Sequence, residues 1–339
     1  FVSNMIQGEL VLDKGLTLGA TSTVTNADGS VTVSQTATVD MTIAKLLRPS
    51  MTLTRTATAQ AGAAASATKV CMLVLDPTAT QAFLINSGAQ INAPNCQIDV
   101  LSTGNPAAII NSGITLNIKK LCVKGANVVQ NGGALAVVSP SCTTAGDPFA
   151  GALPAVTVGA CTVSDQNYSG MTTLYPGTYC GNFNFNGTGK LTLNSGLYVF
   201  NNAHWNLNSG WEIAGTDVTF YYADSNSYIQ INSGAKLSVS APTSGTYANI
   251  LMYEPASLAK SAFTINGPTG SDNHLLSGLI YLPSRNVTFN SLSNTASESV
   301  TMVLNQVIID STAWAFAAGA KSIAAATSTT TAGSARLTQ

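Results

Sequence analysis

A chain of 339 residues is long enough for one large core or two smaller ones, yet only 9% of it is charged and the formal net charge is -1. That balance gives no electrostatic basis for binding nucleic acid or an anionic membrane, so any partner is met through polar or apolar contacts. A hydrophobic content of 45% excludes simple disorder, and the longest apolar runs, Val70 to Leu75 and Ala313 to Ala318, fall far short of the ~18 residues of a membrane helix.

Residues 1–66 differ in character from the rest. Thr and Val alternate densely, and Asn26 to Gly29 reads as a hairpin turn, so a small antiparallel β domain is expected. Asp40 to Ser50 has room for one helical turn before Pro49 stops it, and Ala61 to Ala67 is an unpatterned linker. The chain opens at Phe1 rather than Met and shows no signal peptide, so any export or anchoring segment is expected to have been removed.

From Lys69 the pattern becomes periodic. Tyr175 to Phe200 shows it most clearly: apolar residues alternate at Phe183, Phe185, Leu191, Leu193, Leu197 and Val199, broken only at Asn-Gly and Asn-Ser-Gly. The turn recurs around Asn86, Asn111, Asn194, Asn208 and Asn232, and from one turn to the next there is room for three short strands. This is the rung of a right-handed parallel β-helix (solenoid) over residues 67–312. Asn suits its corners because it tolerates the left-handed backbone region and its amide can bond the Asn of the next rung. A β-sandwich built from Asn-Gly hairpins fits the same turns. Between 139 and 173 the pattern lapses into a Pro- and Gly-containing excursion, and residues 313–339 read as a C-terminal cap and tail.

Six cysteines, Cys71, Cys96, Cys122, Cys142, Cys161 and Cys180, lie inside residues 71–180 with no CxxC pair and no neighbouring histidine. Their even number and polar surroundings favour three disulfides in an oxidising compartment over zinc. Residues about one rung apart become neighbours in a stack, so the sequential pairing is expected: Cys71 with Cys96, Cys122 with Cys142, Cys161 with Cys180.

The blocks KVCMLVLDPTATQAF, NAPNCQIDVLSTGNPAAI, LYPGTYCGNFNFNG, LTLNSGLYVF, DVTFYYAD, LSVSAP and HLLSGLIYLPSRNVTFN, with the ending ARLTQ, occur in this order. In that order the chain resembles TadG-like proteins of the Flp, or tight adherence, pilus system. The resemblance spans nearly the whole chain and implies a bacterial envelope or surface protein in pilus assembly or adhesion, with recurrent ectodomain cysteines and no catalytic role. It implies other envelope or pilus proteins, or copies of the chain itself, as partners. In that family such an N-terminal β segment follows a single membrane-anchoring pilin-like helix, which the resemblance implies for the precursor and which is not part of this sequence. Asp28 to Thr32 only weakly echoes the DxSxS motif of a metal-dependent adhesion domain.

β-Helices also carry polysaccharide lyases and hydrolases, which need convergent carboxylates or calcium-binding Asp clusters. Glu212, Asp217, Asp224 and Glu254 are the acids of the central rungs, and their spacing reads as turn-capping. His204 and His274 lie near no nucleophile motif, GxSxG is absent, and no cofactor or metal is indicated. Sequons begin at Asn167, Asn186 and Asn286. The aromatic set is of more interest: Trp205, Trp211, Tyr221 and Tyr228 are expected as a ligand or interface strip for a surface polysaccharide or a protein. Alternatively the 139–173 excursion covers such aromatics. The expectation is a non-enzymatic surface protein, with a polysaccharide-binding or polysaccharide-cleaving β-helix as the alternative.

Overall fold

The computed structural model describes residues 16–25, 30–40, 50–60, 68–267, 274–290 and 295–326. The chain divides into two units, Phe1–Ser66 with Thr329–Gln339, and Ala67–Ser328. In the first, Leu16–Thr25, Ser30–Asp40 and Ser50–Gln60 form an antiparallel sheet in that order, with Leu16 opposite Val39 and Ser30 opposite Gln60. Val33 is buried in this sheet. The Asn26 to Gly29 turn, the expected helical turn at 41–49, and Asp28 and Gly29 of the Asp28 motif lie outside the described residues.

The second unit is a parallel β-solenoid of about ten turns. Each turn presents three strand segments, one to each side of a long prism. The long strand Gly177–Leu193 shows the construction: 177–180 lies on the first side, 183–185 on the second and 189–193 on the third. Inward residues alternate with outward ones along each segment, so Phe183, Phe185, Leu191 and Leu193 enter the core while Asn182, Asn184, Lys190 and Thr192 point out. Neighbouring turns stack like on like. Trp205 touches the rings of Tyr179, Phe185 and Phe200, and Phe289 meets Trp314 edge to face. Such pairs add to the burial of each ring.

The order of turns in the stack departs from chain order. The lowest turn is Val163–Leu174; the chain then climbs turn by turn to Thr295–Ile309 and Ala313–Ala318. On top of that turn sits the beginning of the solenoid. Met302 pairs with Met72, Val307 with Phe83 and Trp314 with Ile91, all parallel. Residues 69–139 thus form the upper turns, and Trp314 to Ala325, expected as a cap, is instead built into the wall at the junction. Ala313–Ala318 is the third side of a turn, and Ile323–Ala324 pairs antiparallel with Lys69 and Val70.

This topology requires a long return from the top of the stack to the bottom. Residues 140–162 supply it as a strap along the first side, while 163–173, expected as part of the excursion, already form the lowest turn. The strap is tied at its ends by Cys122–Cys142 and Cys161–Cys180, and Cys71–Cys96 joins two upper turns. The expected pairing is the one present. Along its length Ala145 N–H donates to the buried Asp99 carboxylate (2.6 Å), Tyr281 O–H donates to Asp147 (3.0 Å), and Tyr253 O–H donates to Pro154 O (3.2 Å). A second apolar cluster forms outside the first side, in which Leu73, Val199, Tyr221, Tyr253, Tyr281 and Val303 are buried and strap residues such as Phe149, Leu153 and Val156 pack against them.

Candidate interaction surface

With the first side covered, the second side is the regular face whose outward residues remain accessible. Its middle column runs Asn167, Asn184, Asn206, Gln230, Thr264, Thr288, Ile308, Leu84, Ile109, Val129. The surface grades from amides through hydroxyls to aliphatic side chains, and every member beyond the exposed Asn167 is half-buried by its neighbours. Asn184 donates to Asn167 (3.1 Å) and Asn206 donates to Asn184 (3.3 Å).

A second column follows the corner between the second and third sides. Asn208 donates to Asn186 and Asn232 to Asn208, each at 3.1 Å; Asn290 donates to Asn266 (2.7 Å); Asn111 donates to Asn86 (2.9 Å) and Asn131 to Asn111 (2.7 Å). Asp310 takes the Asn place in the turn below the junction, between Phe289 O, to which its N–H donates, and Asn86, whose N–H donates to Ile309 O. Glycines behind the column at 88, 113, 210 and 234 have φ between +73° and +90°, a region that penalises any side chain. At Gly210 a Cβ would also sit 2.7 Å from Thr188 Cγ2.

Asn86, Asn111, Asn208 and Asn232 are therefore ladder residues, as expected. Asn194 is not: it stands at the corner between the third and first sides, its N–H donates to Leu174 O, its carbonyl accepts from Tyr198 O–H, and no amide bond joins its side chain to the column. The INSG and LNSG phrases look alike because both corners need a tight turn.

The aromatic strip does not exist as a surface. Trp205 and Trp211 are in the inner core, 0% and 1% exposed, and Tyr221 is under the strap. Alternation on strands that begin at different corners decides which way a ring points, and bulges shift that register. Tyr228 alone reaches the second side, half-buried and stacked on His204 (centroids 4.7 Å), whose Nδ1 lies 3.1 Å from Asn182 Oδ1.

The carboxylates are engaged structurally. Glu254 and Arg285 form a buried ion pair (2.6 Å); Ser284 N–H also donates to Glu254, and the guanidinium donates to Ser225 O, Ser261 Oγ and Asp224 O. Burial outweighs these partners and raises the Glu254 carboxyl. Burial likewise raises Asp99. At Asp76 burial is outweighed by bonds from Gln306, Thr78, Ala79 and Asn305, which hold it below the usual range. Asp165 and Asp224 accept backbone N–H groups, from Asn182 and from Asn202, Asn226 and Ser227, and Glu212 pairs with Lys190 (3.6 Å). His274 is fully buried, accepting from Leu237 N–H and facing Asn266 O; burial pushes its imidazole down to about 4. Among the described residues no three His, Cys, Asp or Glu side chains are placed to hold a metal ion.

The third side is shallower in chemistry. Ala214, Ser238, Leu275, Ala296 and Ala315 follow one another across it, and open hollows of about 320 and 500 Å³ lie over this small-residue stretch. No family model, curated protein or solved structure matches the chain.

The alternative that the 139–173 excursion covers aromatics holds for Tyr221, whereas the individual strap contacts, the Glu254–Arg285 pair and the junction were not foreseen. One signal was present: VCMLV, VTFYY, ILMY and LIYL are apolar without alternation, which marks strands buried on both faces.

Proposed function

We propose that the chain is a non-enzymatic structural protein of a bacterial envelope or cell surface, in the manner of the TadG-like proteins it resembles, and that the second side is its contact face. The observation that carries this reading is the uninterrupted amide, hydroxyl and aliphatic column from Asn167 to Val129 on the side left open by the strap. Three disulfides fit an oxidising extracellular or envelope environment. Among the described residues no helix is long and apolar enough to cross a membrane, so anchorage rests on the resemblance alone. An uncharged lattice of amides suits a neutral, hydroxyl-rich surface such as a polysaccharide, or another protein's β face.

Fractionation of producing cells and adherence of a deletion strain test the reading. We expect the protein outside the cytoplasm and weaker adherence or fewer surface appendages without it. Release of reducing ends from a panel of polysaccharides by the purified chain would establish the enzymatic alternative instead.

A further inference from the structure

The two ends of the solenoid are complementary to one another. At the lower end, Val163–Leu174 pairs with Gly177–Leu193 alone; at the upper end, Val128–Gln130 pairs with Ala108–Ile110 alone and Val138–Ser139 with Thr115–Val123 alone. Each end therefore presents one edge of a parallel sheet with no strand partner among the described residues, which is a template for a further strand.

The amide columns have a direction. Wherever two asparagines stack, the Nδ2 group of the upper donates to the Oδ1 of the turn below, while Asn266 donates to Ile231 O instead and Asp310 interrupts the corner column. At the top of the corner column Asn131 donates to Asn111 and its own Oδ1 accepts nothing; at the bottom of the separate middle column, whose top is Val129, Asn167 accepts from Asn184 and its own Nδ2 has no acceptor.

Charge is segregated along the same axis. Residues 112–142, in the upper turns, contain Lys119, Lys120 and Lys124 and no carboxylate, whereas residues 161–235, in the lower turns, contain Asp165, Glu212, Asp217 and Asp224 against Lys190 alone. Lys119 and Lys124 are exposed, as is Asp165 in the lowest turn. Glu212 and Asp217 lie two turns from the lower edge, about 10 Å at the usual strand spacing, within a Debye length at ~0.1 M salt.

We propose that the solenoid binds a second copy of the chain head to tail, basic upper end on acidic lower end, adding parallel strands across the joint. The contact uses two different patches, so it is heterologous and propagates as an open filament. The proposal rests on the reading of the chain as a structural surface protein, but an adhesive monomer would satisfy that reading and defeat this one.

Sedimentation velocity and electron microscopy of the full disulfide-bonded chain, at low and high sodium chloride, provide the test. We expect concentration-dependent linear association at low salt, weakened about tenfold or more when screening reduces the Debye length to roughly 3–4 Å. The Lys119→Glu/Lys124→Glu variant and the Asp165→Lys/Glu212→Lys variant should each stay monomeric alone and associate when mixed. Both carry exposed or partly exposed substitutions, and circular dichroism checks that they fold. A wild-type monomer at every concentration, association indifferent to salt, or charge variants that associate as wild type would each overturn the proposal.

Discussion

At the corners, an amide with a partner above and below differs from one that only occupies a tight turn. Asn208 bonds Asn186 and Asn232, so Asn208→Ala should lose about 1–2 kcal/mol, while Asn194→Ala should lose less than about 0.5 kcal/mol because only its backbone is used. Urea unfolding of the two variants checks the difference. The buried ion pair behaves more sharply. Arg285→Met leaves the Glu254 carboxylate buried without its countercharge, a loss of about 3–5 kcal/mol, and adding Glu254→Gln should recover part of it. An equilibrium double-mutant cycle measures that coupling. His274 gives a pH dependence of known sign. Its folded pKa, about 4, lies below the ordinary imidazole value of 6.5, so the unfolded chain takes up the proton first. Stability from this residue is complete above pH 6.5 and declines as pH falls towards 4, by on the order of 3 kcal/mol. Thermal melts between those pH values should therefore flatten in His274→Gln relative to wild type, the raised Glu254 and Asp99 carboxyls acting in the opposite sense in both proteins.

Among the elements, the strap sets the character of one whole side. The tyrosines at 221, 253 and 281 would be an exposed apolar row without it, and the hydroxyls of Tyr253 and Tyr281 donate into it. Its end disulfides span 20 and 19 residues, and chain entropy assigns each about 3 kcal/mol. Replacing Cys122 and Cys142 by Ser should free the upper end of the strap, and limited proteolysis should then cut within 140–162 well before the wall. A cut in the wall first would show that the strap is held by its side chains. The apolar runs at 70–74, 218–222 and 250–253 carry the pattern of strands buried on both faces, and the 139–173 excursion was open as their cover, but its individual contacts were not legible, since nothing local in a Pro- and Gly-rich stretch states where each residue docks.

For the molecule as a whole, the stack order matters most. Ala325 N–H donates to Thr68 O (2.9 Å), so the beginning and the end of the described solenoid chain lie side by side at the junction, while among the described residues the strap is the covalent link from the upper turns to the lowest. A circular permutant of the solenoid unit that joins 325 to 68 by a short linker and opens at Gly151 should fold with an unchanged circular dichroism spectrum. Its turns then follow one another in chain order. Loss of the spectrum would mean that the strap's continuity is needed for folding. The sequence by itself determined the strand period, the three-sided turn, the asparagine corners and the sequential disulfides, because each depends on residues one turn apart or closer. Only the tertiary structure decided that Trp205 and Trp211 face inward, that Asn194 sits outside the ladder and that residues 69–139 stack above residues 295–318. Those outcomes depend on bulge register and on contacts between segments some 200 residues apart, such as Met72 with Met302, where many apolar strands are equivalent in pattern and packing alone selects the partner.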